Sequence, residues 1–489
     1  MSTSQSQSMS PGHHLVHGTA LILLADALLP LTGIVVASFL TRSLGAGNYG
    51  LLTLALTLVT WVEFGVVSLF ARATVKIIGD ADDWRPAGAA ILRLHLSVGV
   101  AAMLCCWALA MPCAAVLGEP ALAPYLALLA LDIPVFALAH CHRGILVGRG
   151  RYSERARASA ARWISRLILI ILLVELGLSV NGAILGTVGA SIVELLVARH
   201  YIRPSWAAPA AAPGSLWSYA VPIFLATLIL RLLGLGLFLL KILGASAEQA
   251  GIYGAAQNVA FVMPAVLAAS LSPLLLSTMT RVMREDDLPA ARTLARNTIR
   301  TVAGLLPFAA IAAAASDDLA VMLFGARFAG AGPPLAILVF AGLALMMINL
   351  VNAILIARGK PNWTLWLAAP LLPAAVAGHI VAIPRFGLTG AESVTTLVAG
   401  LGAVAGLIAA CRHLRIEAPV ATLLRSVLLS WTAYALVCCL PAHGFAAVWK
   451  MALACTLVLG GFFVLGEFRR NEIRFFRLVL GHALSRERI

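Results

Sequence analysis

The chain has 489 residues, of which 61% are hydrophobic and 11% charged, and its mean hydropathy is +0.95. A soluble domain carries about 25% charged residues, so this composition excludes a soluble protein built around one core. Lys and Arg total 35 against 21 Asp and Glu, a formal charge of +14. That surplus suggests nucleic acid only until the charges are located.

The first residues, 1–15, are Ser- and Gln-rich and lack the basic segment of a secretory signal, so they read as a cytoplasmic tail before an uncleaved first helix. Apolar runs long enough to cross a membrane then follow, about fourteen in number. They fall near 16–40, 51–70, 92–117, 121–141, 162–180, 182–200, 217–240, 255–277, 301–320, 333–357, 363–383, 390–411, 422–441 and 445–466. The expected fold is an all-α polytopic membrane protein with two six-helix lobes around a central cavity, plus two C-terminal helices. The lobes are 16–202 and 216–416, joined by a Pro/Ala-rich cytoplasmic linker at 203–215. Residues 417–466 hold the additional helices, and 467–489 form a cytoplasmic amphipathic tail.

The arginines alternate with these runs. Arg72, Lys76, Arg85 and Arg93 follow the second, and Arg143 to Arg166 form a dense series after the fourth. Further clusters follow the sixth, eighth, tenth and twelfth runs, including Arg281. The intervening loops hold only Arg42, Lys241, Arg327, Arg385 and Lys450. By the positive-inside rule both termini are cytoplasmic. The basicity is a topology signal, with no basic domain outside the membrane to bind nucleic acid. Tyr152 to Arg166 and Arg281 to Arg300 have the arginine spacing of interfacial helices.

Short glycine-bearing turns recur at a nearly constant offset between the halves. Tyr49-Gly50 matches Tyr253-Gly254, Leu146–Arg151 matches Leu355–Lys360, and Leu178–Ala183 matches Phe386–Ala391. The repeated unit is six spans long, an even number, so the halves are expected to be related by an axis along the membrane normal.

Ionisable residues inside spans are costly unless they face a cavity or a partner. Asp26, Glu63 and Asp132 read as deep in the first half, with Glu175 and Glu194 nearer helix ends. Arg231 reads as the single deep charge of the second half. The acids are candidate proton or ion sites. Arg231 is either an anion site, since guanidinium binds phosphate through two parallel hydrogen bonds, or an internal partner of Asp26 or Asp132. Asn349 and Asn352 share a helix face and either bind sugar hydroxyls or bridge helices. His140 and His142 point to different sides of a helix, which disfavours shared metal ligation. The eight cysteines form no C-x-x-C pair, and no cofactor is indicated. There is no nucleotide phosphate loop, and no catalytic constellation lies on a loop, so the reading is transport, not catalysis.

Arg42-Ser-Leu-Gly45-Ala-Gly-Asn-Tyr49-Gly50 resembles the R-x-L-G-x-x-x-Y-G turn of Wzx-type polysaccharide-biosynthesis flippases. These belong to the multidrug/oligosaccharidyl-lipid/polysaccharide (MOP) exporter superfamily. Glu63 in W-x-E, the segment Phe70–Asp80, Gly148–Tyr152 and Phe386–Ala391 are similar to other recurrent segments of that family. The resemblance implies two six-helix lobes that alternate in access around a V-shaped cavity. It implies an undecaprenyl-pyrophosphate-linked oligosaccharide as substrate, moved across the bacterial inner membrane for exopolysaccharide or O-antigen and lipopolysaccharide synthesis. A polymerase and co-polymerase would be partners, beside membrane lipid. On that reading Arg231, with Arg72, Lys76 and Arg281 near the cytoplasmic mouth, meets substrate charge, and Arg42, Gly45, Tyr49 and Gly50 mark the outer gate. The alternatives are an ion-coupled multidrug antiporter of the same superfamily and, from another class, a membrane-embedded polymerase or ligase.

Overall fold

A computed structural model describes residues 11–204, 228–440 and 446–467, together with Leu225 and Gly444. Every regular element among them is helical, as expected of a chain whose backbone must satisfy its own hydrogen bonds in lipid. Ten stretches are long and apolar enough to cross a membrane, against about fourteen expected. Three of the ten contain positive-φ breaks that divide them in two, and of the expected span 217–240 the described residues are 225 and 228–240.

The first break shows why. The helical run Pro11–Asp80 covers 70 residues, which as one rod would be roughly 105 Å long, over three times a bilayer core. It is interrupted at Gly45, with φ 73°, a conformation that costs a side-chain-bearing residue and suits glycine. The arms α1 (11–44) and α2 (46–80) lie side by side, because residues 29–40 and 49–64 contribute to one cavity wall.

Next come α3 (Trp84–Val116), capped by the Asp83 carboxylate, and α4 (Leu122–Gly148), which bends at Ala130 and Leu131 so that Asp132 opens its second segment. The helix α5 (Tyr152–Leu173) reaches α6 (Ser179–Tyr201) through a second break, at Gly177 and Ser179. In the second half, the described part of α7 is 228–242, tightened into a 3-10 turn at Leu233–Leu235 before Gly236–Ile242. The long α8 (Ala247–Arg284) starts from a reciprocal Ser246–Gln249 capping box. Then follow α9 (Leu288–Ala314), a short helix Ser316–Phe324, α10 (Gly332–Ala357), and a run broken at Gly387 into α11 (371–386) and α12 (388–414). The last two are α13 (Val420–Cys439) and α14 (Ala446–Val464).

Helices α1 to α6 pack mainly on one another, as do α7 to α12, while α13 and α14 lie on α9. The two groups meet chiefly where α1 and α2 pack against α8 and the segment Ser316–Ala331. Glycine makes that seam possible. A methyl added at Gly50 would overlap the Ala247 carbonyl oxygen, and one at Gly251 would overlap the Ala46 carbonyl oxygen. The backbones of the two groups therefore touch directly. Arg42 donates across the seam to the Met322 carbonyl at 2.8 Å, and Ser38 donates to the Leu323 carbonyl. The Tyr49 ring meets Phe328 edge-on at 5.7 Å, and Lys241 pairs with Glu119 at 2.9 Å.

The last two helices are fastened to the second group by ion pairs at both ends. Lys450 pairs with Asp318 at 2.7 Å, and Glu467 binds Arg300 at 3.0 Å and Arg425 at 2.7 Å. Lys241 and Lys450, read in sequence as loop charges, are thus 9% and 8% exposed inside the packing. They are buried because each has a carboxylate within reach.

The seam generates a prediction. Overpacking of this kind costs about 1–3 kcal/mol, so Gly251→Val will shift the groups apart. In a protein with its native cysteines replaced, a Ser38→Cys probe will react with maleimide several-fold faster when Gly251→Val is present. An unchanged rate would mean the glycine contact does not hold the groups together.

Candidate functional site

Between the two groups lies a cavity of about 800 Å³. Its walls come from α1, α2 and α5 on one side and from α8, α10 and residues 230–234 on the other. Thr53, Thr57, Thr60, Gln257, Asn258 and Asn349 supply hydrogen-bonding groups, and Trp61 and Phe64 supply aromatic faces. Among its described lining residues the charged ones are Arg166 and Arg231, and none is an acid.

Arg231 is exposed to this space, and its guanidinium lies 4.1 Å from the centre of the Phe64 ring. An aromatic face attracts a cation without neutralising it, so Arg231 stays held but available to an anion. It pairs with neither Asp26 nor Asp132, which removes the internal ion pair considered from the sequence. Asp26 is 42% exposed and bonds Arg155 at 3.0 Å. It is therefore not a deep acid, since the Arg155 side chain of α5 reaches it at the edge of the bundle.

Glu63 and Asp132 are deep, at 7% and 1% exposure, and their carboxyl groups lie close enough to interact. Two carboxyl groups that meet can share one proton, since an ionised carboxylate can only accept a hydrogen bond and a protonated one can donate it. Asp132 comes within reach because the bend in α4 makes it the first residue of a new helical segment. Beside this pair, Glu194 is fully buried and bonds both Arg143 and Arg162 at 3.0 Å. Arg162 also stacks on Phe136, 4.4 Å from the ring centre.

Arg166 is the residue that the sequence reading missed. It sits one turn beyond Arg162 on α5, within electrostatic reach of Asp132 and Glu63, and makes no direct ion pair among the described residues. Its Nε is buried without a hydrogen-bond partner. The sequence assigned residues 152–166 to an interfacial helix, whereas α5 runs without interruption from Tyr152 to Leu173 and carries Arg162 and Arg166 inward. A further omission is Glu392 on α12. It is fully buried in the second group, where Arg231 had been read as the single deep charge.

The other sequence candidates separate. Asn349 lines the cavity and donates to the Leu345 carbonyl at 2.8 Å. Asn352 faces a different, small crevice beside Thr364 and Gly402, so the two amides do not act on one ligand. Arg281 is exposed near the end of α8 and does not line the cavity. The side chains of Arg72 and Lys76 lie outside the described residues. Arg42, Gly45, Tyr49 and Gly50 belong to the seam, although Tyr49 also reaches the cavity wall, where its hydroxyl accepts from Asn258 at 3.4 Å. Glu175 is exposed. Among the described residues, no cluster of three His, Cys, Asp or Glu side chains is arranged to hold a metal.

Burial separates the acids by consequence. Glu194→Gln leaves two inward arginines without their carboxylate, and breaking a buried pair costs about 3–5 kcal/mol. Asp26→Asn removes a half-exposed pair worth about 0–1 kcal/mol. Thermal unfolding in detergent will show a large loss of Tm for Glu194→Gln and little change for Asp26→Asn. Equal effects would contradict this ranking.

Known proteins place this arrangement. The fold is similar to that of a MOP superfamily transporter from Pyrococcus furiosus, described by the reversed polarity of its binding pocket. The TM-score is 0.62 at 14% identity, over 83% of this chain and 96% of that one. It is also similar to a mutant of the Vibrio cholerae MATE transporter VcmN, with TM-score 0.61 at 16% identity over 83% and 97% of the two chains. An outward-facing multidrug resistance MATE family transporter gives 0.60 at 16% identity, over 83% and 97%. These likenesses identify the fold of a multi-pass membrane transporter of the MOP type. No curated protein matches the chain in sequence. The model of the family described as polysaccharide biosynthesis protein matches residues 39–333, more than half the chain, and the chain belongs to that family.

Proposed function

We propose that this protein is a flippase that carries undecaprenyl-pyrophosphate-linked oligosaccharide across the bacterial inner membrane by alternating access. The observation that carries the reading is the sign of the cavity. Arg166 and Arg231 line it from opposite helix groups, and no acid is present among its described lining residues. A diphosphate is the part of such a lipid that needs cations, and a guanidinium binds it through paired charge-assisted hydrogen bonds. The amides and hydroxyls around them match sugar hydroxyls, and Trp61 and Phe64 offer faces on which sugar rings pack. Membership of a polysaccharide biosynthesis family supports the same substrate class.

The charge alternation of the loops supports cytoplasmic termini, with the Arg42–Gly50 turn on the outer face. The seam between the groups is then the closed outer gate, and the cavity opens toward the cytoplasm, where the lipid-linked repeat unit is assembled. A polymerase and its co-polymerase would take the product on the far side. We read no catalytic step in the chain itself.

The fold is also that of multidrug MATE transporters, which keeps an ion-coupled antiporter as the second reading. A cationic drug would enter a cavity whose two charges repel it, with the acids set behind the wall. Reconstitution in liposomes with labelled lipid-linked oligosaccharide decides between them. Losing a charge-assisted contact of about 1.5–3 kcal/mol predicts that Arg231→Ala lowers flipping roughly 10- to 100-fold while the protein still inserts and folds, with partial recovery in Arg231→Lys. Unchanged flipping by Arg231→Ala, or efflux of a cationic dye that it accelerates, would favour the antiporter.

A further inference from the structure

We infer that Arg166 links proton binding at the Glu63–Asp132 carboxyl pair to anion binding in the cavity, so that the two ligands strengthen each other. This rests on the proposed reading of the cavity as a diphosphate site and adds what controls it.

The argument begins with which charges are already matched. Around the carboxyl pair, α5 presents Arg162 and Arg166, α6 presents Ser191, α3 presents Cys106, and α2 presents Tyr49 beyond Arg166. Arg162 is committed to Glu194, which also holds Arg143. His140 faces Arg143, Arg155 and Arg162 and not the carboxyl pair, and Asp26 is taken by Arg155. The remaining cation is Arg166, which sees the carboxyl pair on one side and lines the cavity on the other. Two groups at this junction lack partners. Nε of Arg166 is buried and unbonded, and so is Oδ1 of Asp132, whose residue is 1% exposed.

The sign of the linkage follows from charge balance. With both carboxyls ionised, their field draws the Arg166 guanidinium toward the lobe interior and cancels much of its charge. One bound proton removes one negative charge, so Arg143, Arg162 and Arg166 outnumber the remaining carboxylates and Arg166 is less compensated toward the cavity. An anion there is then bound more tightly. By reciprocity the bound anion makes the same proton harder to lose. The proton comes from solvent and returns to it, and no bond other than O–H changes. Proton and anion therefore travel the same way through the cycle, whereas a cation exchanger, in which proton and substrate compete for one acid, links them with the opposite sign.

The test uses purified full-length protein in detergent and titration calorimetry with two probes. Methanedisulfonate, a small dianion that does not itself titrate in the working range, reports the protein's own pH dependence. Inorganic pyrophosphate at one fixed pH reports the site. The expected result is methanedisulfonate affinity that rises on the order of tenfold as pH falls, with proton uptake seen as a dependence of the measured heat on buffer. Glu63→Gln with Asp132→Asn, both near-isosteric, will bind the dianion with no pH dependence and no proton uptake, and each single variant will reduce both. Arg166→Ala will retain weaker binding through Arg231 and lose the pH dependence. A pH dependence that survives in the double variant, or one of opposite sign, overturns the linkage. If both anions bind wild type at a pH-independent affinity, the linkage fails and the diphosphate reading stands. If neither anion binds at any pH, both fail.

Discussion

Burying charge in an apolar bundle is the constraint on which the rest of this structure depends. An arginine away from water needs a carboxylate, an aromatic face or a polar cavity. In the first helix group the carboxylates are nearly used up internally. Glu194 holds Arg143 and Arg162, Asp26 holds Arg155, and Glu63 and Asp132 adjoin each other. What is left over is Arg166, and the second group adds Arg231, parked on Phe64. Both open onto the cavity between the groups. The cavity is positive not because the chain carries a net charge of +14 but because the interior pairing leaves these two guanidiniums over.

The same constraint shapes what holds the groups together. The seam is built from backbone contact at Gly50 and Gly251 and from a few polar and aromatic contacts, including Arg42 with Met322, Lys241 with Glu119 and Tyr49 with Phe328. An aromatic pair adds about 0.5–1.5 kcal/mol, and parting the buried Lys241 from Glu119 costs more than parting a surface pair. Helices α13 and α14 are clasped to the second group through Lys450–Asp318 and through Glu467 with Arg300 and Arg425. They travel with that group as one body.

Hydropathy and glycine turns made the fold legible because a membrane chain has few ways to satisfy its backbone, and each long apolar run must be a helix. The Arg42–Gly50 turn was readable for a similar reason, since Gly45 takes a backbone conformation suited to glycine and Gly50 a contact with no room for a side chain. Glu63 and Asp132 were found by depth along an apolar run. Arg166 was not, because a run of arginines and alanines before an apolar stretch looks the same whether its helix lies at the interface or continues inward as α5 does. Glu392 was missed in the same way, just inside an apolar run after a glycine turn. Asp26 was misjudged because depth along one helix says nothing about a long side chain arriving from another. Asn349 and Asn352 share a face, but that face borders two different spaces.

These placements also explain why acids stand behind the cavity wall and not in it. A carboxylate lining the cavity would pair with Arg231 directly and exclude a diphosphate. On the far side of a wall helix, as Glu63 is on α2, it acts through its field alone. Two unit charges roughly 6–8 Å apart at an effective dielectric of about 20 interact by about 2–3 kcal/mol. That is enough to alter anion affinity by one or more orders of magnitude, yet it occupies none of the cavity volume that the proposed sugar-bearing diphosphate would fill. Glu63 and Phe64 are consecutive on α2, one turned into the lobe toward Asp132 and the other into the cavity beneath Arg231. A small rotation of that helix therefore moves the proton site and the resting place of the second arginine together. The acid pair thus reaches both cavity cations, Arg166 through space and Arg231 through α2, without contact with the substrate.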